Sequence, residues 1–246
     1  MDILEQIIAT KRQELRFDKR RSLRKSLISS GTGIIAEFKR KSPSRGWIHA
    51  DVRPEEVVPA YAAAGAAALS ILTDESYFGG SLDVIRRVCP LVDLPILRKD
   101  FIIDPYQLYQ AAEAGADAVL LIAACLGRGD CAALTAEAHR LGLEVLLEIH
   151  GEDELDYVTP DVDVVGVNNR HLGTFVTDVR TSFELAPQLS AAGNDSGMVF
   201  ISESGIGDPQ TVRALREAGY RGFLMGEHFM KQPDPGAALA DFIQAI

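Results

Sequence analysis

The sequence has little of what would direct it to an oxidising compartment, a membrane or a metal. Its 246 residues include three cysteines, Cys89, Cys125 and Cys131. They have no metal-ligand spacing and cannot all pair, which excludes a disulfide framework as the basis of the fold. No segment offers the roughly eighteen consecutive apolar residues of a membrane span. The first nine residues contain Asp2 and Glu5 instead of a basic leader and an apolar run, so no signal peptide is expected. The five histidines, His49, His139, His150, His171 and His228, are scattered without an HExxH or similar pair, and no metal site is expected. Neither a dinucleotide-type glycine fingerprint nor a Walker sequence is present. A cytoplasmic protein is the plain expectation.

Positive charge is also scarce outside one region. Residues 1–45 hold 12 Lys/Arg against 5 Asp/Glu, leaving 13 against 30 for the rest of a chain whose net charge is −10. The basic arm at Arg16, Lys19, Arg20, Arg21, Arg24 and Lys25 lacks interleaved aromatics, and the acidic body would repel a phosphate backbone. Nucleic acid is therefore not an expected partner. A solvated helix face is the simplest reading of the arm.

What is present is a core and a repeat. Hydrophobic residues make up 47% of the chain, ample for one large α/β domain. Apolar runs recur at Gly33 to Ala36, Ala67 to Leu72, Leu94 to Leu97, Ala118 to Ile122, Leu143 to Leu147, Val162 to Val167, Met198 to Ile201 and Gly222 to Met225. Between them lie helically spaced segments such as Pro54 to Ala64, Tyr106 to Ala114, Cys131 to Leu141 and Pro209 to Ala218. Near-continuous apolar runs alternating with helices imply parallel strands covered on both faces. Eight such units fit a closed (β/α)8 barrel, a TIM barrel, better than an open doubly wound sheet. Residues 1–31, with Leu4, Ile7, Ile8 and Leu15 at helical intervals, are expected to form one or two helices packed on the barrel. The whole of 1–246 is then one barrel domain.

Ionisable residues cluster where these strands should end. In strand order the residues at these ends are Glu37 with Lys39, Asp74, Lys99, an apolar fourth strand, Glu148, Asn168 with Arg170, Glu203 with Ser204, and Gly226, so that two lysines and three glutamates converge. That edge is where barrel enzymes carry their catalytic groups, and charges inside buried runs would cost several kcal/mol unless paired. Neighbouring lysines and glutamates shift each other's pKa and can be poised as proton donor and acceptor. A purely structural ion-pair network at the barrel mouth is the competing reading. Lys99 suits either a proton donor or a Schiff-base nucleophile, and residue type does not choose between them. The runs Ser202 to Gly207 and Met225 to Met230 place glycines after strands seven and eight, where backbone N–H groups of barrels present themselves to phosphate.

Several strings together are distinctive: Ile35-Ala36-Glu37-Phe38-Lys39-Arg40-Lys41-Ser42-Pro43-Ser44, Leu72-Thr73-Asp74-Glu75-Ser76-Tyr77-Phe78-Gly79-Gly80-Ser81, Leu97-Arg98-Lys99-Asp100-Phe101, Gly166-Val167-Asn168-Asn169-Arg170 and Ser202-Glu203-Ser204-Gly205-Ile206. On these the chain closely resembles the indole-3-glycerol phosphate synthase family, essentially end to end. The resemblance implies a carboxy-lyase of tryptophan biosynthesis. It would convert 1-(2-carboxyphenylamino)-1-deoxyribulose 5-phosphate, a small phosphorylated substrate, with no cofactor and no obligate protein partner. It implies Lys99 as general acid, Lys39 as carboxylate ligand or second donor, and Glu148 as acid/base, with Glu37, Asn168 and Glu203 orienting the lysines and substrate hydroxyls. Arg170 would face the anthranilate carboxylate, and Phe78, Phe101, Leu120, Leu172 and Pro43 would lie along the substrate. Ser42, Ser204, Gly205, Gly226 and Glu227 would form the phosphate shell.

Glu227 departs from the small hydroxyl residue that many relatives carry at its position. Its side chain is expected to turn away from the phosphate while its backbone N–H faces it. The N-terminal helix is expected over the barrel mouth, bringing part of the basic arm near the substrate. A phosphoribosylanthranilate isomerase-like barrel would need a Cys/Asp acid/base pair, for which the cysteines are poorly placed. A non-catalytic ligand-binding barrel has no use for both lysines and Glu148.

Overall fold

The computed structural model describes residues 2–14, 20–193 and 197–246. Eight strands form a closed parallel barrel: β1 Ile34–Phe38, β2 Ala68–Leu72, β3 Ile96–Lys99, β4 Ala118–Ile122, β5 Glu144–Ile149, β6 Val164–Asn168, β7 Val199–Glu203 and β8 Gly222–Met225. Each pairs with its sequence neighbour, and β8 returns to β1 with Phe223 opposite Ile34. Helices alternate with the strands on the outside, so the fold is the expected (β/α)8 barrel. No described helix is long and apolar enough to cross a membrane.

Two apolar layers hold the barrel together. The outer layer packs strand residues such as Ile34, Leu69, Val119 and Val165 against the surrounding helices. The inner layer fills the barrel axis with Ile35, Leu97, Leu120, Leu146, Ile201 and Leu224. Adjacent strand residues thus serve opposite faces, as the two-residue period requires. Strands β1, β3, β5 and β7 each run two residues beyond the expected apolar run. Ladder hydrogen bonds continue through Glu37, Lys99, Glu148 and Glu203, so the ionisable groups stand within the strands and not after them.

The N-terminal region departs from expectation. Helices α1 Ile3–Glu14 and α2 Leu23–Ser29 precede the barrel. Leu23 and Leu27, one turn apart on α2, are buried within the inner layer beneath the strands, and Ser26 donates to the Ala67 carbonyl at 2.5 Å. A Cβ on Gly222 would fall 2.4 Å from Ile201 Cγ2 and 3.1 Å from Leu27 Cδ2, so the missing side chain makes room for the inner layer and for this plug. Helix α2 therefore closes the end opposite the mouth.

The basic arm goes with it. Arg20 donates to the carbonyls of Ala112 (3.1 Å), Leu141 (3.3 Å) and Ala116, at the C-terminal ends of outer helices where the backbone dipole favours cations. Arg21 pairs with buried Asp117 at 2.9 Å, while the Arg24 guanidinium reaches the Gly197 carbonyl at 2.8 Å. These arginines are structural fasteners rather than a solvated face, and they lie away from the mouth. Lys25 is exposed as the simple reading held, and Arg16, Lys19 and Leu15 fall outside the described residues. Along α1 the expected packing of Leu4, Ile7 and Ile8 is not seen, since these side chains are exposed.

Candidate active site

The site follows from the strand period. Glu37, Lys99, Glu148 and Glu203 each stand two residues beyond an inner-layer residue, Ile35, Leu97, Leu146 and Ile201 respectively. Each side chain therefore points to the barrel axis one layer above the apolar floor. Arg98 alternates outward and is buried, where it donates to Thr73 Oγ1 (3.1 Å), the Gln107 carbonyl (2.5 Å) and Asp100 Oδ2 (2.9 Å). This outer network anchors the backbone on either side of Lys99.

Lys99 Nζ lies 2.8 Å from Glu148 Oε2 and 3.4 Å from Glu203 Oε2. Lys39 Nζ lies 2.6 Å from Glu37 Oε1. Glycines supply the space these carboxylates occupy. A Cβ on Gly166 would stand 2.3 Å from Glu203 Oε1, and one on Gly226 would stand 2.5 Å from Glu37 Oε1. Gly226 thus houses a carboxylate in addition to starting the short helix that follows it.

Burial by itself would strip the Lys99 proton, but the facing carboxylates of Glu148, Glu203 and Glu37 outweigh it and raise the ammonium pKa. Lys99 is held as a cation, which suits a proton donor and disfavours the free amine that Schiff-base chemistry needs. Burial would likewise raise Glu148, yet Lys99 and His150 reverse this and hold it ionised. Glu203 is pushed up to about 7 by burial and by the charges of Glu148 and Glu37, against the pull of Lys99. Two buried carboxylates on one ammonium are thereby driven apart in acidity, the usual mark of divided acid and base roles.

Above these groups opens a cavity of about 850 Å³. Phe78, Phe101, Leu120, Leu172 and Pro43 all line it, together with Asn168 and Arg170. The Phe78 and Phe101 rings are 6.3 Å apart and tilted by 34°. Phe78 is held by a cap: Asp74 accepts from the Tyr77 N–H at 2.6 Å and the Phe78 N–H at 3.3 Å. The cavity has one apolar wall and an ionic floor, so a flat aryl group and an oxygen-rich chain could lie side by side.

Beyond β7, Ser204 and Gly205 both take left-handed backbone conformations (φ 66° and 74°), and both line the cavity. They are braced from behind by buried Asn169, whose amide donates to Ser202 Oγ and to the carbonyls of Glu203 and Ser204, each at 3.0 Å. Beyond β8, the helix Glu227–Met230 starts at Gly226, whose carbonyl accepts from the Phe229 and Met230 N–H groups at 3.1 and 2.9 Å, so the N–H groups of Glu227 and His228 stand ahead of the first helical bond.

Two expectations are corrected. Ser42 is buried and does not reach the cavity; Ser44 Oγ, 3.4 Å from Ser42 Oγ, lines it instead. The reversal in the hairpin pairing Lys41 with Trp47 turns this loop over. The Glu227 side chain does not turn away. It lines the cavity, pairs with Arg45 Nε at 2.8 Å and stands 3.8 Å from Arg170 Nη2. Arg45, Tyr77, Phe175, Thr177 and Lys231 also line the cavity and were not expected there. They sit on the connections between strands and outer helices, Tyr77 within the short helix Glu75–Phe78, where neither period nor strand position marks them. Among the described residues, no group of three or more His, Cys, Asp or Glu is arranged to hold a metal ion.

A family model described as indole-3-glycerol phosphate synthase matches residues 3–242. A protein of Bacteroides thetaiotaomicron bearing that name is 57% identical, covering 100% of this chain and 99% of its own length. One from Carboxydothermus hydrogenoformans is 45% identical over 89% of this chain and 83% of its own. Another, from Laribacter hongkongensis, is 42% identical over 97% and 98%.

Proposed function

This chain belongs to the indole-3-glycerol phosphate synthase family, and on that basis we propose that it closes the indole ring of 1-(2-carboxyphenylamino)-1-deoxyribulose 5-phosphate, releasing CO2 and water. The observation that carries this reading is Lys99, an ammonium shared by Glu148 and Glu203 at the floor of a cavity with one aromatic wall.

Ring closure joins the anthranilate carbon that bears the carboxylate to C2 of the ribulose chain. The aryl group has to fold against the chain, and Phe78, Phe101, Leu120 and Leu172 favour that fold as a positioning effect. As the bond forms, the electron pair of the C2 carbonyl moves to its oxygen, and Lys99 delivers the proton. Loss of CO2 returns its bonding pair to the ring and restores aromaticity. Lys39 and Arg170 hold the carboxylate until then, and the apolar wall limits its hydration. In the last step the C2 hydroxyl leaves as water while the adjacent C1 methylene loses a proton, its C–H bonding pair forming the C1–C2 double bond of the indole, with Glu148 as acid/base. Glu37, Asn168 and Glu203 hold the lysines and the substrate hydroxyls. The phosphate is assigned to the backbone donors of Ser204, Gly205, Gly226 and Glu227.

The test is turnover. Purified protein mixed with the carboxyphenylamino-deoxyribulose phosphate should produce indole fluorescence with release of one CO2 per product. A folded protein that binds the substrate and leaves it unchanged would overturn the reading in favour of a non-catalytic barrel.

Glu227 permits a prediction of its own. Its carboxylate engages Arg45, stands close to Arg170 and adds negative charge where a dianion binds. Glu227→Ser is expected to lower the substrate KM by about five-fold, the size of one partly exposed charge interaction. The effect should shrink in high salt. An unchanged KM at low salt would mean that the carboxylate moves clear of the bound phosphate.

A further inference from the structure

Glu148 has a second partner on the side away from Lys99. His150 follows β5 directly and stands two residues from Glu148, with its Nε2 3.3 Å from Glu148 Oε1; the other oxygen, Oε2, is the one on Lys99. His150 is fixed in turn by Glu154, in the 3-10 helix Glu152–Tyr157. Its Nδ1 lies 3.4 Å from Glu154 Oε2, and its backbone N–H donates to the same oxygen at 2.6 Å. Lys99, Glu148, His150 and Glu154 thus form a row of alternating charge leading away from the cavity floor. His150 is not among the residues that line the cavity, so it does not stand where substrate would touch it.

The surroundings of His150 are acidic. Glu148 on its own strand and Glu154 on the next element face it directly. Cys125, in the turn after β4, has its thiol raised by burial and then by Glu148 and Glu154, so it is a neutral neighbour. Burial would discharge the imidazole, but the two carboxylates outweigh it and push its pKa up to about 9. Near neutral pH the ring is an imidazolium between two carboxylates, and its Nε2 meets Glu148 Oε1 at 3.3 Å as a charge contact without a hydrogen bond.

We propose that His150 is a positioning residue for Glu148: clamped by Glu154, it stands beside Glu148 Oε1 and supplies a second positive charge there, leaving Oε2 to Lys99 and to proton transfer. The proposal rests on the acid/base role assigned to Glu148 above. Its physical content is that Lys99 alone must otherwise neutralise two buried carboxylates, Glu148 and Glu203. With the imidazolium present, Glu148 stays ionised while Glu203 is free to hold a proton.

The experiment is the pH profile of kcat for the wild type, His150→Gln, His150→Lys and Glu148→Gln, with thermal unfolding of each. Removing a cation makes a carboxylate keep its proton to higher pH. The acidic limb of His150→Gln, which reports the coupled Glu148 and Glu203 pair, is therefore expected to move up by about one pH unit. With the limb near 7, its kcat at pH 7 should fall about five-fold, with KM within a factor of three and recovery at higher pH. His150→Lys keeps a cation and should return the limb towards the wild type. A loss of activity uniform across pH, or a limb coincident with that of the wild type, overturns the proposal and leaves His150 a packing residue. Glu148→Gln separates the two readings. If it is inactive while the His150→Gln limb is unshifted, the proposal alone falls; if it retains full activity, the acid/base role of Glu148 falls and takes the proposal with it.

Discussion

Replacement of Lys99 by alanine is expected to lower kcat at least about a thousand-fold, within the range that a positioned general acid contributes. The reason is local and electrostatic. Lys99 is the ammonium that Glu148 and Glu203 share, at 2.8 and 3.4 Å, and both carboxylates are almost wholly buried. In the proposed mechanism its loss leaves the C2 oxygen without a proton donor. The two carboxylates also lose the charge that kept them ionisable, so their protons come off at higher pH and the base is weakened as well. The same proposal places most of the substrate binding on the phosphate loops, the aromatic wall, Lys39 and Arg170, so KM should change far less than kcat. Lys99→Met separates charge from bulk because it retains most of the side-chain volume. It should be as inactive as the alanine variant, and single-turnover fluorescence would show whether the ring-closing step itself is slowed. A Lys99→Met enzyme within ten-fold of the wild type would remove Lys99 from the chemistry.

Gly166→Ala is expected to lower kcat about a hundred-fold, the cost of misplacing a reacting group by about 1 Å. A methyl group at this position would lie 2.3 Å from Glu203 Oε1 and 3.2 Å from Leu146 Cδ1. Gly166 is paired on both sides, opposite Glu148 and Ile201, so the backbone is held and the Glu203 carboxylate is the part that can move. That carboxylate faces Lys99 through its other oxygen as an ion pair at 3.4 Å, and its displacement disturbs the ammonium. The sign of the accompanying pH effect follows from the same geometry. Glu203 already sits near 7 through burial and its acidic neighbours, and a carboxylate pushed off Lys99 rises further, so the acidic limb should move to higher pH. Thermal unfolding checks that the fold persists. A variant with wild-type kcat would show that Glu203 tolerates displacement.

Much of this site was readable from residue order. Eight apolar runs separated by helical segments specify a parallel barrel because only parallel strands covered on both faces read as continuous apolar runs. The ends of those runs carried Glu37, Lys99, Glu148 and Glu203, and a period of two sends alternate residues to the axis whatever the surrounding detail. The structure brings all four together. Less was readable on the loops. Ser42 and Ser44 are separated by one residue and share a hydroxyl, and only the hairpin decides which of them reaches the cavity. Arg45 and Lys231 line the cavity from connections that have no period to mark them. His150 looked like one of five scattered histidines because its partner Glu154 becomes meaningful only once the chain has turned through a 3-10 helix.

The basic arm shows the same division most clearly. Its composition was plain in the sequence, and charge alone favoured a solvated face over an anion-steering surface without revealing the carbonyls that three of its arginines cap or the carboxylate that one of them pairs with. Burial of Leu23 and Leu27 decided the outcome for the described part of the arm, since it carries Arg20, Arg21 and Arg24 to helix ends and strand starts at the closed end of the barrel. The sequence by itself determined the barrel, its strand order and the ionic layer on its axis, because these depend on local periodicity and on the cost of burying charge. The tertiary structure decided which loop side chains meet that layer, which glycines make room for its carboxylates and which end of the barrel the N-terminal helix closes, because each depends on contacts between residues far apart along the chain.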